Sequence, residues 1–342
     1  MPHLVAAPDK FRGTVTAAEA ATAAAGAARR AGWSADEVPM SDGGEGLLDA
    51  VGGETRTTLV TGPLGQPVEA EWRLLDTTAV IEMSRAAGRS LVPAPRGDDP
   101  VRASTAGVGQ LLLAARDAGA VRIVVGCGGS ATTDGGEGAF DAVGSPSALA
   151  GVELVVACDV TTPFLEAAAV FGPQKGASRA QVEALGRRLG RTAGRYRRET
   201  GVDVTSVPGA GAAGGLAGGM LALGARLEPG FGLVPTLTRL ARRMAGADLV
   251  VTGEGHVDPP SFRGKVLGGV VELARTVAAD RGGWALPVLC IAGGADRAIV
   301  TKPPLGLEIV SLAERFGRSR AKRETAALIE QVTAEALARF CP

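Results

Sequence analysis

Residues 42–46 and 134–138 of this 342-residue chain both read Asp-Gly-Gly-Glu-Gly. Each copy sets two carboxylates among glycines at the start of an apolar helical pattern. Glycine lets the backbone approach a ligand closely and take positive φ. The N–H groups at a helix start attract anions. Carboxylates beside an anion site call for a metal ion between the two negative partners. The repeat therefore points to a phosphate–Mg²⁺ site. The plainer alternative is two tight turns whose aspartates cap the following helices.

Other segments carry related chemistry. Asp9-Lys10-Phe11-Arg12-Gly13 places an acid between a strand and a turn, and its two cations suit a substrate carboxylate or phosphate. The run Gly126-Cys127-Gly128-Gly129-Ser130-Ala131-Thr132-Thr133-Asp134-Gly135-Gly136 offers successive N–H groups and three hydroxyls to phosphates. It lacks the Gly-Lys-Ser/Thr close of a Walker A loop. In Phe171–Gly176, Lys175 is a point charge for a phosphate. Thr252-Gly253-Glu254-Gly255-His256-Val257-Asp258, with Lys265 beyond it, offers Glu254 or Asp258 to a metal and Lys265 to a transferring phosphoryl group. Gly209–Gly214 matches G-x-G-x-x-G, but Pro208 and the turn at Glu228 argue against a dinucleotide fold and for close helix packing.

These residues need a scaffold. Short β-branched runs alternate with Ala/Leu-rich helical patterns. Strands are expected at 3–7, 37–40, 68–75, 79–83, 121–126, 153–157, 248–252, 288–292 and 308–312. Helices are expected at 17–31, 103–118, 179–200, 214–223, 236–244, 266–280 and 322–340. The alternation gives an α/β fold with mostly parallel sheets, and 68–75 with 79–83 reads as an antiparallel hairpin. The length implies two domains. Junctions at Pro93–Pro100 and Arg281–Pro287 suggest a discontinuous first domain (1–86 and 286–342) with a second (87–285) inserted. The motif segments follow strand ends, where α/β sheets bind ligands, so one interdomain cleft is expected.

Composition excludes several classes. The 36 basic and 36 acidic residues balance and aromatics are only 4%, so nucleic acid is not an expected partner. No apolar run reaches membrane-spanning length, and the N-terminus lacks a signal-peptide pattern. Four scattered cysteines without a CxxC pair fit a reducing cytoplasm. Two histidines make zinc an unexpected metal.

Taken in order, Ala7–Gly13, Asp42–Gly46, Gly128–Gly136, Ala157-Cys158-Asp159-Val160-Thr161, Val170–Gly176 and Val251–Gly255 resemble the motifs of the type I glycerate kinases. The resemblance spans nearly the whole chain. It implies two α/β domains and ATP-dependent phosphorylation of D-glycerate at its 2-hydroxyl, giving 2-phosphoglycerate. On it, Mg²⁺–ATP lies against Gly128, Gly129, Ser130, Thr132, Thr133, Gly135 and Gly136, with Asp134, Asp159 and Glu254 on the metal side. The division of roles within that set is a separate expectation: Asp42 orients the glycerate hydroxyl and accepts its proton. Lys10 and Arg12 hold the carboxylate, with Asp9, Gly43, Gly44 and Glu45 around the substrate. Lys175 or Lys265 neutralises the γ-phosphate. The chain departs from the family pattern in two shortened segments, 145–151 and 163–169, and at His256 and Pro260, where arginine and glutamine are common. A kinase for another small hydroxy acid, one forming 3-phosphoglycerate, and a non-catalytic sensor are the alternatives. Oligomeric state is not legible.

Overall fold

The structure is a computed structural model that describes residues 1–44, 46–92, 99–283 and 285–339. Glu45 and most of the expected junction at 93–100 lie outside these. The chain divides into two compact units: Met1–Asp42, Asp49–Val51 and Phe231–Pro342 form one, and Gly43–Leu48 with Gly52–Gly230 form the other. Each is α/β with a mostly parallel sheet.

The first unit holds five parallel strands: β1 (His3–Ala6), β2 (Ser34–Glu37), β9 (Leu249–Val257), β10 (Val288–Ala295) and β11 (Leu307–Ser311), in the order β11-β10-β9-β1-β2. The chain winds one way from β1 and the other way from β9, so the switch point lies between these two. Ligands of such sheets gather beyond the strand ends there. β2 begins earlier than the expected 37–40. Val38 and Met40 nonetheless stay tied to the chain leaving β1, their N–H groups donating to Ala6 O and Pro8 O at 2.8 Å each. Helix α1 (Ala17–Arg30) starts on a capping box of Thr16 and Glu19.

The second unit holds six strands in sequential order: β3 (Glu54–Thr61), β4 (Pro67–Leu75), β5 (Thr78–Glu82), β6 (Arg122–Gly126), β7 (Glu153–Ala157) and β8 (Arg226–Glu228). The expected hairpin is present as antiparallel β4–β5. The unit boundaries fall at 42/43, 48/49, 51/52 and 230/231, not at 86/87 and 285/286. The reason is strand pairing: β5 runs parallel to β6 from Thr78↔Arg122 to Glu82↔Gly126, which carries the hairpin into the second sheet. β9 pairs with both β1 and β10, which carries residues 231–285 into the first.

Helices α2 (Leu47–Val51), α3 (Ala106–Asp117), α4 (Glu137–Val143), α5 (Arg179–Thr200) and α6 (Ala212–Ala222) precede α7 (Val266–Asp280) and α8 (Thr325–Leu337). The glycines before and within α6 serve close packing, as expected. A Cβ on Gly214 would lie 2.0 Å from Thr132 O, and one on Gly219 would lie 2.8 Å from Gly136 Cα. Phe140, Phe164 and Tyr196 meet beneath this contact, with ring centroids 4.9 Å apart for Phe140–Tyr196 and 6.3 Å for Phe164–Tyr196. Among the described residues no helix is long and apolar enough to cross a membrane.

Candidate active site

In the first unit the switch point gathers Asp9, Lys10, Asp42 and Glu254. Asp9 follows β1 and donates its N–H to Gly253 O of β9 at 2.8 Å. Its Oδ1 accepts the Lys10 N–H at 2.7 Å. The Lys10 ammonium stands 3.8 Å from Asp42 Oδ1. Burial raises the Asp9 carboxyl to about 6; the Lys10 cation opposes this and the Asp42 charge adds to it. Burial likewise raises Glu254 to about 7, against a Ser261 hydrogen bond and with help from the Asp9 charge. Glu254 Oε1 is buried and has no hydrogen-bond partner.

The segment 253–257 was expected as a loop, yet it continues β9 alongside β10 to Val257↔Ala295. Its glycines make room for neighbouring backbone. A Cβ on Gly255 would lie 3.1 Å from the Arg12 nitrogen, so the Asp9–Gly13 turn can lie on the strand. Arg12 itself is exposed, as is Lys265 at the start of α7. The Glu254 carboxyl feels the Lys265 charge. Asp258 caps the turn after β9, accepting the Ser261 N–H and hydroxyl at 3.0 Å each. His256 is exposed, 3.4 Å from Asp296.

In the second unit the glycine-rich loop after β6 has two halves. Gly129 is exposed, and Gly128 and Ser130 are half-buried. Thr132, Thr133, Asp134, Gly135 and Gly136 are buried. Tyr196 donates its hydroxyl to Gly135 O at 2.9 Å, and Lys175 donates to Thr132 O at 2.5 Å. Burial lowers Lys175 to about 7, with the Asp134 charge pulling it up and Arg89 pushing it down. The backbone of Thr132, Thr133, Gly135 and Gly136 packs against the glycines of α6, while Thr132 Oγ1 is buried without a hydrogen-bond partner.

Asp134 is 0% exposed. Its Oδ2 accepts Thr105 N–H and Oγ1–H at 2.8 Å each and Gly138 N–H at 3.2 Å, while Oδ1 accepts Gly136 N–H at 3.1 Å. Three donors thus crowd Oδ2 and one takes Oδ1, so most of the acceptor capacity of this carboxylate is used inside the fold. The anion at the start of α4 is thus the chain's own aspartate, as in the plainer reading. Asp159, after β7, is exposed, and its Oδ1 accepts Gly230 N–H at 2.8 Å. Gly43 and Gly44 lie on this unit, Gly43 packed so that a Cβ would lie 2.7 Å from Gly230 Cα.

The glycerate kinase family model matches residues 4–148 and 141–341. The chain belongs to the glycerate kinase family. It is 40% identical over 333 residues to a glycerate kinase of Halalkalibacterium halodurans, covering 86% of each chain. It is 37% identical over 330 residues to the glycerate 2-kinase of Escherichia coli K12, covering 85% of this chain and 84% of that one. A crystal structure described as glycerate kinase 2 from Salmonella typhimurium LT2 superposes with a TM-score of 0.80 at 32% identity over the full length of both chains.

Several neighbours of the candidate residues in this glycerate kinase family member were not singled out in the sequence. Arg89 shares a pocket wall with Lys175 and Ala131. Thr105 anchors Asp134. Glu82 ends β5 and accepts the N–H groups of Gly46 and Leu48 at 2.9 and 3.0 Å. The signal for Glu82 was an acid closing the buried run Ala79-Val80-Ile81, where a carboxylate needs a reason. Within the two segments expected to be short, 146–149 forms a 3₁₀ turn, and Phe164 is fully buried against Gly135 and Gly218.

Proposed function

We propose that the chain phosphorylates D-glycerate at the 2-hydroxyl with ATP, releasing 2-phosphoglycerate and ADP. Family membership supports a kinase. The observation that carries the residue assignment is the pairing of Lys10 with Asp42 at 3.8 Å beside Asp9, an acid and a cation together at the sheet's switch point. A hydroxy acid presents a carboxylate and a hydroxyl on adjacent carbons. Lys10 and Arg12 bind the carboxylate by charge-assisted hydrogen bonds. Asp42 orients the 2-hydroxyl and accepts its proton as the oxygen attacks the γ-phosphorus. In the second unit Gly128, Gly129 and Ser130 donate to the nucleotide phosphates, and Lys175 balances their charge.

Mg²⁺ bound with ATP would neutralise phosphate charge, and it needs only one or two protein carboxylates. Glu254 fits that need, because its buried Oε1 has no hydrogen-bond partner and a nearby cation would offset its burial. Asp134 fits less well, because it is fully buried and already accepts four hydrogen bonds, three of them on Oδ2.

A second assignment has its own support. The Asp9 carboxyl, raised to about 6, is closer than an ordinary carboxylate to the range suited to a general base at neutral pH. The decisive experiment for the function is mass analysis of the product formed from D-glycerate and Mg–ATP, resolving 2- from 3-phosphoglycerate. A 3-phosphoglycerate product would overturn the regiochemistry. Turnover only with another hydroxy acid would overturn the substrate.

A further inference from the structure

The two copies of Asp-Gly-Gly-Glu-Gly match residue for residue, so Gly46 corresponds to Gly138 and Asp42 to Asp134. The equivalent amides have different partners. In the second copy Gly138 N–H goes to Asp134 Oδ2 at 3.2 Å, the copy's own aspartate. In the first copy Gly46 N–H goes to Glu82 Oε1 at 2.9 Å, an acid from another strand. The same Glu82 oxygen takes Leu48 N–H at 3.0 Å. The other oxygen stands 3.4 Å from Arg85 Nε.

The fates of the two aspartates differ accordingly. Asp134 is fully buried under four donors. The Asp42 side chain is 43% exposed and faces the Lys10 ammonium. Glu82 is only 2% exposed, and its register neighbours Gly126 and Ala157 on β6 and β7 complete a floor beneath the loop. A Cβ on Gly126 would lie 2.5 Å from Gly43 O, and one on Gly43 would lie 2.9 Å from Ala157 Cβ. Gly43 is therefore pressed onto the strand ends, and Gly46 and Leu48 are fastened there by one carboxylate.

We propose that Glu82 is a positioning residue for phosphoryl transfer: it holds the Gly46 and Leu48 amides, the first of which Asp134's counterpart would otherwise take, and thereby keeps the Asp42 carboxylate beside Lys10 for the glycerate hydroxyl. Identical loop sequences thus become a structural cap in one copy and a reacting group in the other. The difference is the presence of a buried acid at the end of β5. The inference rests on the assignment of Asp42 as proton acceptor, so that residue is tested in parallel.

The experiment compares the full-length wild type with Glu82→Ala, Glu82→Gln and Asp42→Asn. Steady-state constants for glycerate and for ATP are measured, together with hydrogen exchange at the Gly46 and Leu48 amides. A misplaced catalytic group costs about 10²-fold. Glu82→Ala is expected to lose that factor in kcat/KM for glycerate, to keep its KM for ATP near the wild-type value, and to exchange both amides faster. Glu82→Gln keeps an oxygen for the amides and should recover a large part of the loss. If Glu82→Ala does not fold, Glu82→Asp, whose shorter side chain withdraws the carboxylate from both amides, decides in its place. A loss in kcat/KM for glycerate of about tenfold with unchanged KM for ATP supports positioning, and wild-type constants overturn it. Unchanged amide exchange in Glu82→Ala, or parallel losses for both substrates, also overturns it. Wild-type turnover in Asp42→Asn identifies the Asp42 assignment as the failed step, and the role of Glu82 falls with it.

Discussion

Asp134 accepts both the amide and the hydroxyl of Thr105 at 2.8 Å, and Thr105 Oγ1 in turn accepts the Ala139 N–H at 3.0 Å. This buried relay joins the start of α3 to the start of α4. It assigns Asp134 to the architecture of the glycine loop. Asp134→Asn turns an NH₂ group toward donors that have no acceptor left. Leaving buried partners of a charged group unpaired costs about 2–4 kcal/mol, read as a lower urea midpoint with unchanged slope. A variant as stable as wild type that no longer binds Mg–ATP would return Asp134 to the metal.

Lys175 is expected to give opposite pH trends in stability and activity. Its ordinary value is 10.5 and burial lowers it to about 7 in the fold. Between these values the unfolded chain binds more protons, so ligand-free stability rises with pH there, and below 7 the penalty is full. Activity needs the protonated form if the ammonium balances phosphate charge. kcat/KM for ATP should then fall above about 7. Lys175→Met should be more stable than wild type at pH 6 and show much reduced turnover. A wild-type profile flat to high pH, with activity kept in Lys175→Met, would remove the residue from transfer.

The sequence made the α/β class, the β4–β5 hairpin, the packing role of the 209–214 glycines and the acidic character of the strand ends legible, because each depends on local pattern. Glu82 was not legible as a partner of Gly46, which lies 36 residues away in the chain. Nor was Thr105, which lies 29 residues from Asp134. The repeat announced two alternatives, cap or ligand site, and the tertiary neighbours choose differently for each copy. The strand β3 escaped notice because its Thr-rich sequence is mostly exposed and shows no buried alternation. The domain boundary was misplaced because the pairing of β5 with β6 spans an intervening helix and cannot be read from composition.

Asp9 and Asp42 can be separated by substitution. Asp42→Asn is expected to lower kcat by about 10²–10⁴-fold, the usual loss for a general base, with nucleotide affinity unchanged. Asp9→Asn should cost less in turnover and should stabilise the ligand-free protein. The Asp9 carboxyl is raised from 3.8 to about 6, so its ionisation opposes folding increasingly between these values and fully above them. Asp9→Asn should therefore gain about 1–2 kcal/mol at pH 8 after allowance for solvent screening, and nothing near pH 3.5. Thermal unfolding at the two pH values measures this. If Asp9→Asn instead loses turnover as deeply as expected for Asp42→Asn, and the acid limb of the rate profile disappears with it, Asp9 is the base.

The divalent cation provides the last separation between the candidate acids. Glu254 has a buried oxygen without a hydrogen-bond partner, whereas Asp134 accepts four hydrogen bonds from backbone and threonine donors. Titration with Mn²⁺ in the presence of a non-hydrolysable ATP analogue, followed by electron paramagnetic resonance, reads binding without turnover. Glu254→Gln is expected to weaken Mn²⁺ by about tenfold or more, the scale of losses at oxygen-ligand sites. It should leave the folded state at least as stable as wild type at pH 8, because it removes a carboxyl that burial raises from 4.5 to about 7. Asp134→Asn should show the reverse pattern, with reduced stability and a cation affinity that follows the folded fraction. Wild-type Mn²⁺ affinity in Glu254→Gln, together with its loss in a folded Asp134→Asn, would place the cation on the glycine loop and require the four donors around Asp134 to rearrange when nucleotide binds.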